Sequence, residues 1–237
     1  MGDRSRGFFD VPVAVEAQWM MQLGERFALE GLVAQLQPRI AVEVGTWEGG
    51  SLRRIAEHSG HVHAFDIDPR AQPHADALDN VTLHLGDARE TLPRVLHDLH
   101  TTGRHVDFAL VDGLHTYDAV TADATALLDS SACTHTTIVF HDTAHAEVRR
   151  ALDDLDLPHH PKVGLALLDF VPGFLVKDDP QLTEEIRGRA FNGLGLVVLD
   201  PGRDGADATT QTEFVPAPEL HAAHAAAAQP KKRRWRR

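Results

Sequence analysis

Between residues 39 and 155, short apolar runs rich in β-branched residues alternate with stretches of helical periodicity. The apolar runs occupy 39–44, 61–65, 81–85, 105–111 and 136–140, and the helical stretches occupy 50–58, 70–78, 89–101, 118–129 and 144–155. This alternation favours a parallel sheet covered by helices on both faces. Further apolar runs at 163–170 and 193–200 bring the total to about seven strands. We therefore predict an α/β fold: a Rossmann-like, doubly wound sheet that is mostly parallel with an antiparallel C-terminal strand.

The same pattern divides the chain into three segments. Residues 12–37 place apolar side chains at helical spacing, which predicts one or two helices within an N-terminal segment, 1–37. The alternating pattern fills 38–200, a length that suits one large domain, and 171–192 is expected to be a connection with some helix. Residues 201–237 are rich in Gly, Pro, Asp, Thr, Ala and His, so we expect a loosely ordered extension with a basic tail.

Composition excludes several classes of protein. No run approaches the roughly 18 apolar residues that a membrane span needs, so no membrane partner is expected. The opening MGDRSRGFFD has no following apolar stretch of the kind found in secretory signals, so the expected compartment is the cytoplasm. Cys133 is the single cysteine, which leaves it without a partner for a disulfide or a thiolate zinc site.

Charge is unevenly distributed along the chain. The formal net charge is −12, yet six of the 23 Lys and Arg residues lie in the last seven residues, KKRRWRR. The rest of the chain therefore carries 17 basic against 35 acidic residues, a net charge of −18. This acidic excess argues against a nucleic-acid partner, since nucleic-acid binding relies on Lys and Arg contacts to phosphates; the basic tail keeps RNA as a minor option.

The segment IAVEVGTWEGGSLRRIAEH, residues 40–58, carries the most chemical information. A hydrophobic strand ends there in a Gly-rich turn that leads into a helix, an arrangement that makes a ligand-binding crevice at the carboxyl end of the strand. Gly45 permits the tight turn, and Gly49 and Gly50 let a ligand approach the backbone. Ser51 can satisfy free amides where the helix starts.

Charge around this turn indicates which ligand it suits. Asp66 ends the next strand 21 residues beyond Gly45, where a carboxylate can accept hydrogen bonds from both ribose hydroxyls of a nucleoside. Trp47 occupies the second glycine position of a dinucleotide-binding turn, and Glu43 and Glu48 add negative charge that would repel a pyrophosphate. Because carboxylates suit an ammonium and a sulfonium, S-adenosylmethionine (SAM) is favoured over NAD.

A third strand end adds to this prediction. Asp87 in LGDARE lies where a carboxylate could accept a hydrogen bond from the adenine amino group, and Ala88 leaves room beside it. Asp87 is equally well placed to cap the following helix, and the two roles are compatible.

With these features the sequence resembles class I SAM-dependent methyltransferases across roughly residues 38–200, and the resemblance implies that this segment is a SAM-binding methyltransferase domain. DGLHTYDAVTAD at 112–123 and IVFHDT at 138–143 look like the D-G-x-H-x-Y and H-D-T signatures of the group containing small-molecule O-methyltransferases, macrocin-type sugar methyltransferases and cephalosporin-hydroxylase-like proteins. The resemblance implies that Glu43, Gly45, Asp66 and Asp87 bind SAM. The full set of expected cofactor-binding residues is Glu43, Gly45, Thr46, Trp47, Gly49, Ser51, Asp66, Asp68, Asp87, Ala88 and Asp112.

The ends of the fourth and fifth strands are expected to face the methyl acceptor. Asp112, His115, His141 and Asp142 would converge there beside the methyl donor. We expect His115 to be the catalytic base, because macrocin-like proteins carry a base histidine three residues after a metal-binding aspartate. Asp112 and Asp142, together with His141, are the expected ligands of a divalent ion that lowers the pKa of the acceptor oxygen.

His141 departs from the macrocin-like pattern, which has a carboxylate at this position. A softer imidazole ligand permits a transition metal, or no metal, instead of the Mg²⁺ that the resemblance implies. His141 is also a second candidate for the base, or a residue that orients the acceptor.

The predicted activity is SAM-dependent methyl transfer to a hydroxyl of a small molecule, such as a sugar or a secondary metabolite. Two alternatives stay open: a cephalosporin-hydroxylase-like or other non-methylating enzyme on the same fold, and a protein that binds SAM or its product S-adenosylhomocysteine (SAH) without turnover. A small-molecule acceptor is the expected partner, and homo-oligomer formation stays open.

Overall fold

A seven-stranded sheet organises the structure, a computed structural model that describes residues 19–184 and 186–202. The strands are β1 (Ile40–Val44), β2 (His61–Asp66), β3 (Val81–Leu85), β4 (Phe108–Val111), β5 (Thr137–His141), β6 (Val163–Val171), β7 (Phe174–Leu175), β8 (Ala190–Phe191) and β9 (Leu194–Leu199). The helices are α1 (Leu23–Leu36), α2 (Gly50–His58), α3 (Gln72–Asp76), α4 (Ala88–Thr101), α5 (Tyr117–Asp129) and α6 (Ala146–Asp154), with 3-10 turns at Pro69–Ala71 and Leu157–His159.

The order of strands in the main sheet is β3-β2-β1-β4-β5-β9-β6. Strand β1 pairs in parallel with both β2 and β4, so the direction of winding reverses between β1 and β4. Strand β9 lies antiparallel between β5 and β6. The predicted doubly wound sheet of seven strands with an antiparallel C-terminal strand is thereby confirmed.

The core lies on both faces of this sheet because the central strands are buried on both sides. Successive residues of β4 point to opposite faces: Phe108 and Leu110 pack with α1 and α2, whereas Ala109 and Val111 pack with α4, α5 and α6. Cys133 is buried in the second of these layers, as a small apolar side chain.

Polar residues fix where the helices begin. The Asp87 side chain accepts from the backbone N–H of Arg89 at the start of α4, and the Thr116 hydroxyl accepts from Ala119 at the start of α5. Both caps lie just beyond the carboxyl ends of strands, so they fix the loops that will carry the site.

Two sequence-based expectations need revision. The connection at 171–192 forms turns and the small β7–β8 sheet, with no helix in its described residues 171–184 and 186–192. Pro172, Gly173 and Pro180 oppose helix formation over its first ten residues. The helix predicted at 70–78 is divided into a 3-10 turn and the short α3.

Residues 1–18 of the expected N-terminal segment 1–37, and residues 203–237 of the expected C-terminal extension 201–237, lie outside the described residues. Within the described ranges, none of the helices has the length and apolar character that crossing a membrane requires.

Candidate active site

A cavity of about 500 Å³ opens at the carboxyl edge of the sheet, where the winding reverses. In open α/β sheets ligands bind at this position because the loops leaving neighbouring strands diverge there. The cavity is large enough for a nucleoside with an attached amino acid. Its wall includes eleven of the predicted site residues: Gly45, Thr46, Trp47, Ser51, Asp66, Asp87, Ala88, Asp112, His115, His141 and Asp142.

The Gly-rich turn after β1 is held tightly against the end of β4. Gly45 has φ 88°, and a Cβ added to it would collide with the backbone carbonyl of Asp112. Gly49 has φ 73° and packs against the side chain of His74, away from the cavity wall. Only glycine fits at Gly45, because both the backbone conformation and the available space exclude a side chain.

Glu43 lies beneath this turn rather than on the cavity wall. It is fully buried, and its two carboxylate oxygens accept hydrogen bonds from the hydroxyls of Ser51 at 2.6 Å and Thr46 at 3.0 Å. Burial, opposed by these two hydrogen bonds, raises the pKa of Glu43 to about 8. The structure therefore places Glu43 where it orients two residues of the wall.

Asp66 connects the end of β2 to the same turn. Its Oδ2 accepts from the backbone N–H groups of Thr46 at 2.9 Å and Trp47 at 2.8 Å, and its Oδ1 accepts from the N–H of Asp68 at 2.8 Å. A carboxylate has about four acceptor positions, so one remains on Oδ1 for a ligand hydroxyl. Asp68 itself pairs with Arg70 and does not line the cavity.

Asp87 and Ala88 line the cavity beyond β3. The Asp87 carboxylate accepts from the backbone N–H and the guanidinium of Arg89, and these hydrogen bonds hold the pKa of Asp87 below its usual range. The helix-capping role considered from the sequence is therefore present.

Two exposed aliphatic side chains complete this part of the wall and were not singled out from the sequence. Ile67 is 64% exposed and Leu114 is 61% exposed, and both line the cavity. Ile67 directly follows Asp66, and Leu114 lies two residues after Asp112. Their positions after strand-end aspartates are the signal that could have identified them. Exposed apolar groups at a cavity favour a ligand with a flat apolar face, such as a purine.

The ends of β4 and β5 bring Asp112, His115, His141 and Asp142 together, as predicted. Asp112 Oδ1 lies 2.9 Å from His141 Nδ1 and 3.4 Å from His115 Nε2. His115 Nδ1 lies 3.2 Å from Asp142 Oδ2. The His115 side chain is 37% exposed and that of His141 is only 5% exposed. His115 is thus the more accessible of the two imidazoles to a ligand in the cavity.

A buried glutamate supports this cluster from the N-terminal helix. Glu25 accepts from the backbone N–H of Gly193 at 2.6 Å and from the Asn192 side chain at 2.8 Å, and its Oε1 lies 3.5 Å from His141 Nε2. Asn192 in turn donates its N–H to Asp142. Sequence reasoning missed both Glu25 and Asn192, because they lie far along the chain from every recognised motif.

These contacts shift the charges of the cluster. Burial alone would lower the pKa of His141, but Asp112, Glu25 and Asp142 outweigh it and raise that pKa to about 10. The hydrogen bond to Asp112 raises the pKa of His115, with burial opposing it. Burial acts to raise the pKa of Asp112, yet the two histidines lower it overall. His141 is therefore a proton donor to Asp112 at neutral pH.

The donor set of this cluster is compatible with a metal ion. Ligand atoms of Asp112, His115 and His141 lie within 4.8 Å of one another, and Asp142 adjoins them. Among the described residues His141 Nε2 is buried without a hydrogen-bond partner, and it lies 3.5 Å from Glu25 Oε1, whereas Nδ1 faces Asp112. Two imidazoles with carboxylate oxygens suit a first-row transition metal better than Mg²⁺, which prefers an all-oxygen set.

Comparison with known proteins is consistent with this architecture. A family model described as a methyltransferase domain matches residues 42–143. None of the curated proteins compared with the chain gives a significant match.

Solved structures resemble the chain over most of its length. The O-methyltransferase from Bacillus cereus in complex with SAH is 16% identical with TM-score 0.54, and the alignment covers 81% of this chain and 88% of that one. The O-methyltransferase TomG from Streptomyces achromogenes, in complex with SAM, is 18% identical with TM-score 0.54 and coverage of 76% and 81%. Cofactor-bound Rv0187 from MTB is 18% identical with TM-score 0.54 and coverage of 79% and 85%. The resemblance to class I SAM-dependent methyltransferases is thereby confirmed, and the solved structures show that the fold is shared.

Proposed function

We propose that this chain transfers a methyl group from SAM to a hydroxyl of a small molecule such as a sugar or a secondary metabolite. One observation carries the proposal: the nucleoside-sized cavity has the Gly-rich turn and Asp66 on one wall and the accessible His115 on another. The methyl donor and the proton acceptor that the reaction needs thus fit within a single cavity.

Binding of SAM is supported by the charge and shape of the wall. Asp66 offers an acceptor position to a ribose hydroxyl, and Ile67 and Leu114 offer apolar contact to a purine. Asp112 and Asp142 provide negative charge near the sulfonium. Glu43 acts beneath this surface by orienting Thr46 and Ser51.

The chemical step is an in-line displacement. The acceptor oxygen forms a bond to the methyl carbon as the bond from that carbon to sulfur breaks, which leaves neutral SAH. Neutral His115 keeps its proton on Nδ1, 3.2 Å from Asp142, and takes the hydroxyl proton at Nε2, whose 3.4 Å separation from Asp112 is the longer of its two carboxylate contacts. Asp112 and Asp142 then stabilise the imidazolium. Because the same carboxylates raise the pKa of His115, the reaction requires a pH at which this imidazole is neutral before it accepts the proton.

A metal ion is compatible with this proposal. Asp112, His115, His141 and Asp142 are the residues that would hold it, and a bound divalent cation would polarise the acceptor oxygen and lower its pKa. Occupation of this site by a metal would exclude at least one imidazole from proton transfer, so base and ligand roles would be divided between His115 and His141.

Calorimetric titration of the purified protein with SAH, followed by methyl-transfer assays on compounds with vicinal hydroxyls, tests the proposal. Micromolar SAH affinity and formation of SAH from SAM in the presence of an acceptor are the expected results. Parallel assays with EDTA and with added Mg²⁺, Mn²⁺, Zn²⁺ or Fe²⁺ determine whether and which metal is used. Absence of binding to both SAM and SAH would rule the proposal out.

The donor set also favours one second candidate, a non-methylating oxygenase. Asp112, His115 and His141 form a set of two histidines and one carboxylate, the ligand set of non-haem Fe(II) oxygenases. This candidate predicts Fe²⁺-dependent oxygen consumption in the presence of substrate and no formation of SAH from SAM. An oxygen electrode and mass spectrometry of the cofactor distinguish the two activities.

A further inference from the structure

Asp123 is a buried acidic residue on the cavity wall that the proposed mechanism does not use. It lies in the middle of α5, is 4% exposed and lines the cavity. Its Oδ1 is buried without a hydrogen-bond partner in the described part of the chain. A buried carboxyl group left unpaired is costly, so its retention at a ligand cavity indicates a partner that the ligand supplies.

The surroundings of Asp123 favour its neutral form. Burial and the nearby Asp87 carboxylate raise the pKa of Asp123 to about 7, and the Arg89 guanidinium opposes this shift only in part. A carboxylic acid differs from a carboxylate in having one donor and one acceptor side by side. It therefore complements a ligand edge that also carries an acceptor beside a donor.

The position of Asp123 indicates which part of the ligand it meets. A Cβ added to Gly113 would lie 3.7 Å from Asp123 Oδ2, so the carboxyl lies under the loop that carries Leu114. Asp87 and Ala88 line the same cavity, on the loop that follows β3. This part of the cavity also carries the exposed aliphatic Leu114, whose apolar surface suits a purine ring.

We propose that Asp123 recognises the adenine of the cofactor, accepting from its 6-amino group through one oxygen and donating its O–H to the adjacent ring nitrogen. The inference rests on the proposed SAM dependence and adds a specificity-determining residue to it. The partner of Asp123 is the nucleoside half of the cofactor, so neither the sulfonium nor the amino-acid half contributes to this recognition.

Calorimetry with three ligands and three variants tests the assignment. The ligands are SAH, 5′-methylthioadenosine, and the analogue of 5′-methylthioadenosine with hydrogen in place of the 6-amino group. 5′-Methylthioadenosine has neither the sulfonium nor the amino acid of SAM. Asp123→Leu removes both hydrogen-bonding groups at similar volume, and Asp123→Asn keeps one donor and one acceptor. Asp129→Asn, at an exposed position at the end of the same helix, is the control.

We expect Asp123→Leu to weaken SAH and 5′-methylthioadenosine equally, by about ten- to a hundredfold, because one two-point contact is lost. Asp123→Asn should stay within a few-fold of wild type. Wild type should prefer 5′-methylthioadenosine to the analogue with hydrogen in place of the 6-amino group, and Asp123→Leu should not. Thermal unfolding verifies that each variant is folded. If Asp123→Leu does not fold, the smaller Asp123→Ala takes its place, because a wild-type preference alone could also come from Asp87.

Several outcomes would overturn the inference. Loss of SAH affinity with unchanged 5′-methylthioadenosine affinity would assign Asp123 to the amino-acid half. Equal affinities in all variants, or a folded Asp123→Asn as weak as Asp123→Leu, would exclude the two-point contact. A wild type that binds SAH but ignores the 6-amino group would overturn this inference alone, whereas a wild type that binds neither adenosyl ligand would also overturn the proposed function.

Discussion

The two ends of the cavity are built differently. At the Gly-rich turn, Glu43 and Asp66 are hydrogen-bonded to groups of the turn itself, and the partners lie within about twenty residues along the chain. At the ends of β4 and β5, the cluster of Asp112, His115, His141 and Asp142 depends on Glu25 and Asn192, which belong to remote segments. The Gly-rich turn with Glu43 and Asp66 is preformed by local hydrogen bonds, and we call it the cradle. The other end brings four titratable side chains into contact.

Under the proposed function, this difference separates cofactor binding at one end of the cavity from chemistry at the other. A cradle with satisfied hydrogen bonds holds a ligand without rearrangement, which is what a cofactor used in every turnover needs. A cluster of coupled acids and imidazoles has protonation states that a substrate or metal can change. Substitutions at the two ends should therefore affect different measured quantities.

The largest expected effect comes from Gly45→Ala at the cradle end. The positive φ and the collision with the Asp112 carbonyl force the turn away from β4, so we expect a loss of about 3 kcal/mol or more in unfolding free energy. SAH binding should also be lost in calorimetry. Gly31→Ala, within α1 and with open space around it, is the control and should stabilise slightly. A Gly45→Ala protein with wild-type SAH affinity would contradict the cradle description.

The substitution His115→Gln tests the end of the cavity formed by β4 and β5. Loss of the base should lower turnover by about 10²- to 10⁴-fold, while SAH affinity stays within about threefold. His159→Gln, at an exposed and remote position, controls for the loss of a histidine. Retention of turnover at neutral pH would assign the base to another group.

The substitution Glu43→Gln tests the cradle through the pH dependence of the unfolding free energy. The pKa of Glu43 is raised in the folded protein to about 8, above the ordinary 4.5, so the native state binds this proton more tightly than the unfolded state does. Stability from this group is then lost as pH rises from about 4.5 to 8. Glu43→Gln should flatten that decline, a difference of about 3–4 kcal/mol between pH 5 and pH 8 in urea unfolding. Glu90→Gln, on exposed helix surface, should leave the slope unchanged; an identical slope in Glu43→Gln would contradict the assignment.

Glu25→Gln should have the smallest effect of the four. It replaces one of the two oxygens that accept from Gly193 and Asn192, and we expect a loss of about 1–2 kcal/mol in unfolding free energy. Because the variant acts on the charged cluster, turnover should fall while SAH affinity is preserved. A parallel fall in SAH affinity would show that the two ends are not independent.

The contrast between the two ends also explains what could be predicted from the sequence. Strand alternation and the Gly-rich turn are local patterns, and they predicted the sheet and placed Gly45, Asp66 and Asp87 at its edge. The positions of Glu43 and Asp68 away from the wall depend on side-chain partners that spacing does not specify. Glu25 and Asn192 are joined by a hydrogen bond across 167 residues, a contact that only the folded chain creates.

The antiparallel insertion of β9 has a consequence for the order of assembly. β6 is paired with β9 alone in the main sheet, and β9 follows β6 along the chain, so β6 gains its partner only after residues 194–199 have been synthesised. The loop that leads into β9 carries Asn192 and Gly193, the partners of Glu25 and Asp142. During vectorial synthesis the strands β1 to β5 are all available before β9. A nascent chain is therefore expected to form the Gly-rich end of the cavity first and the complete cluster of Asp112, His115, His141 and Asp142 last, when the final strand enters the sheet.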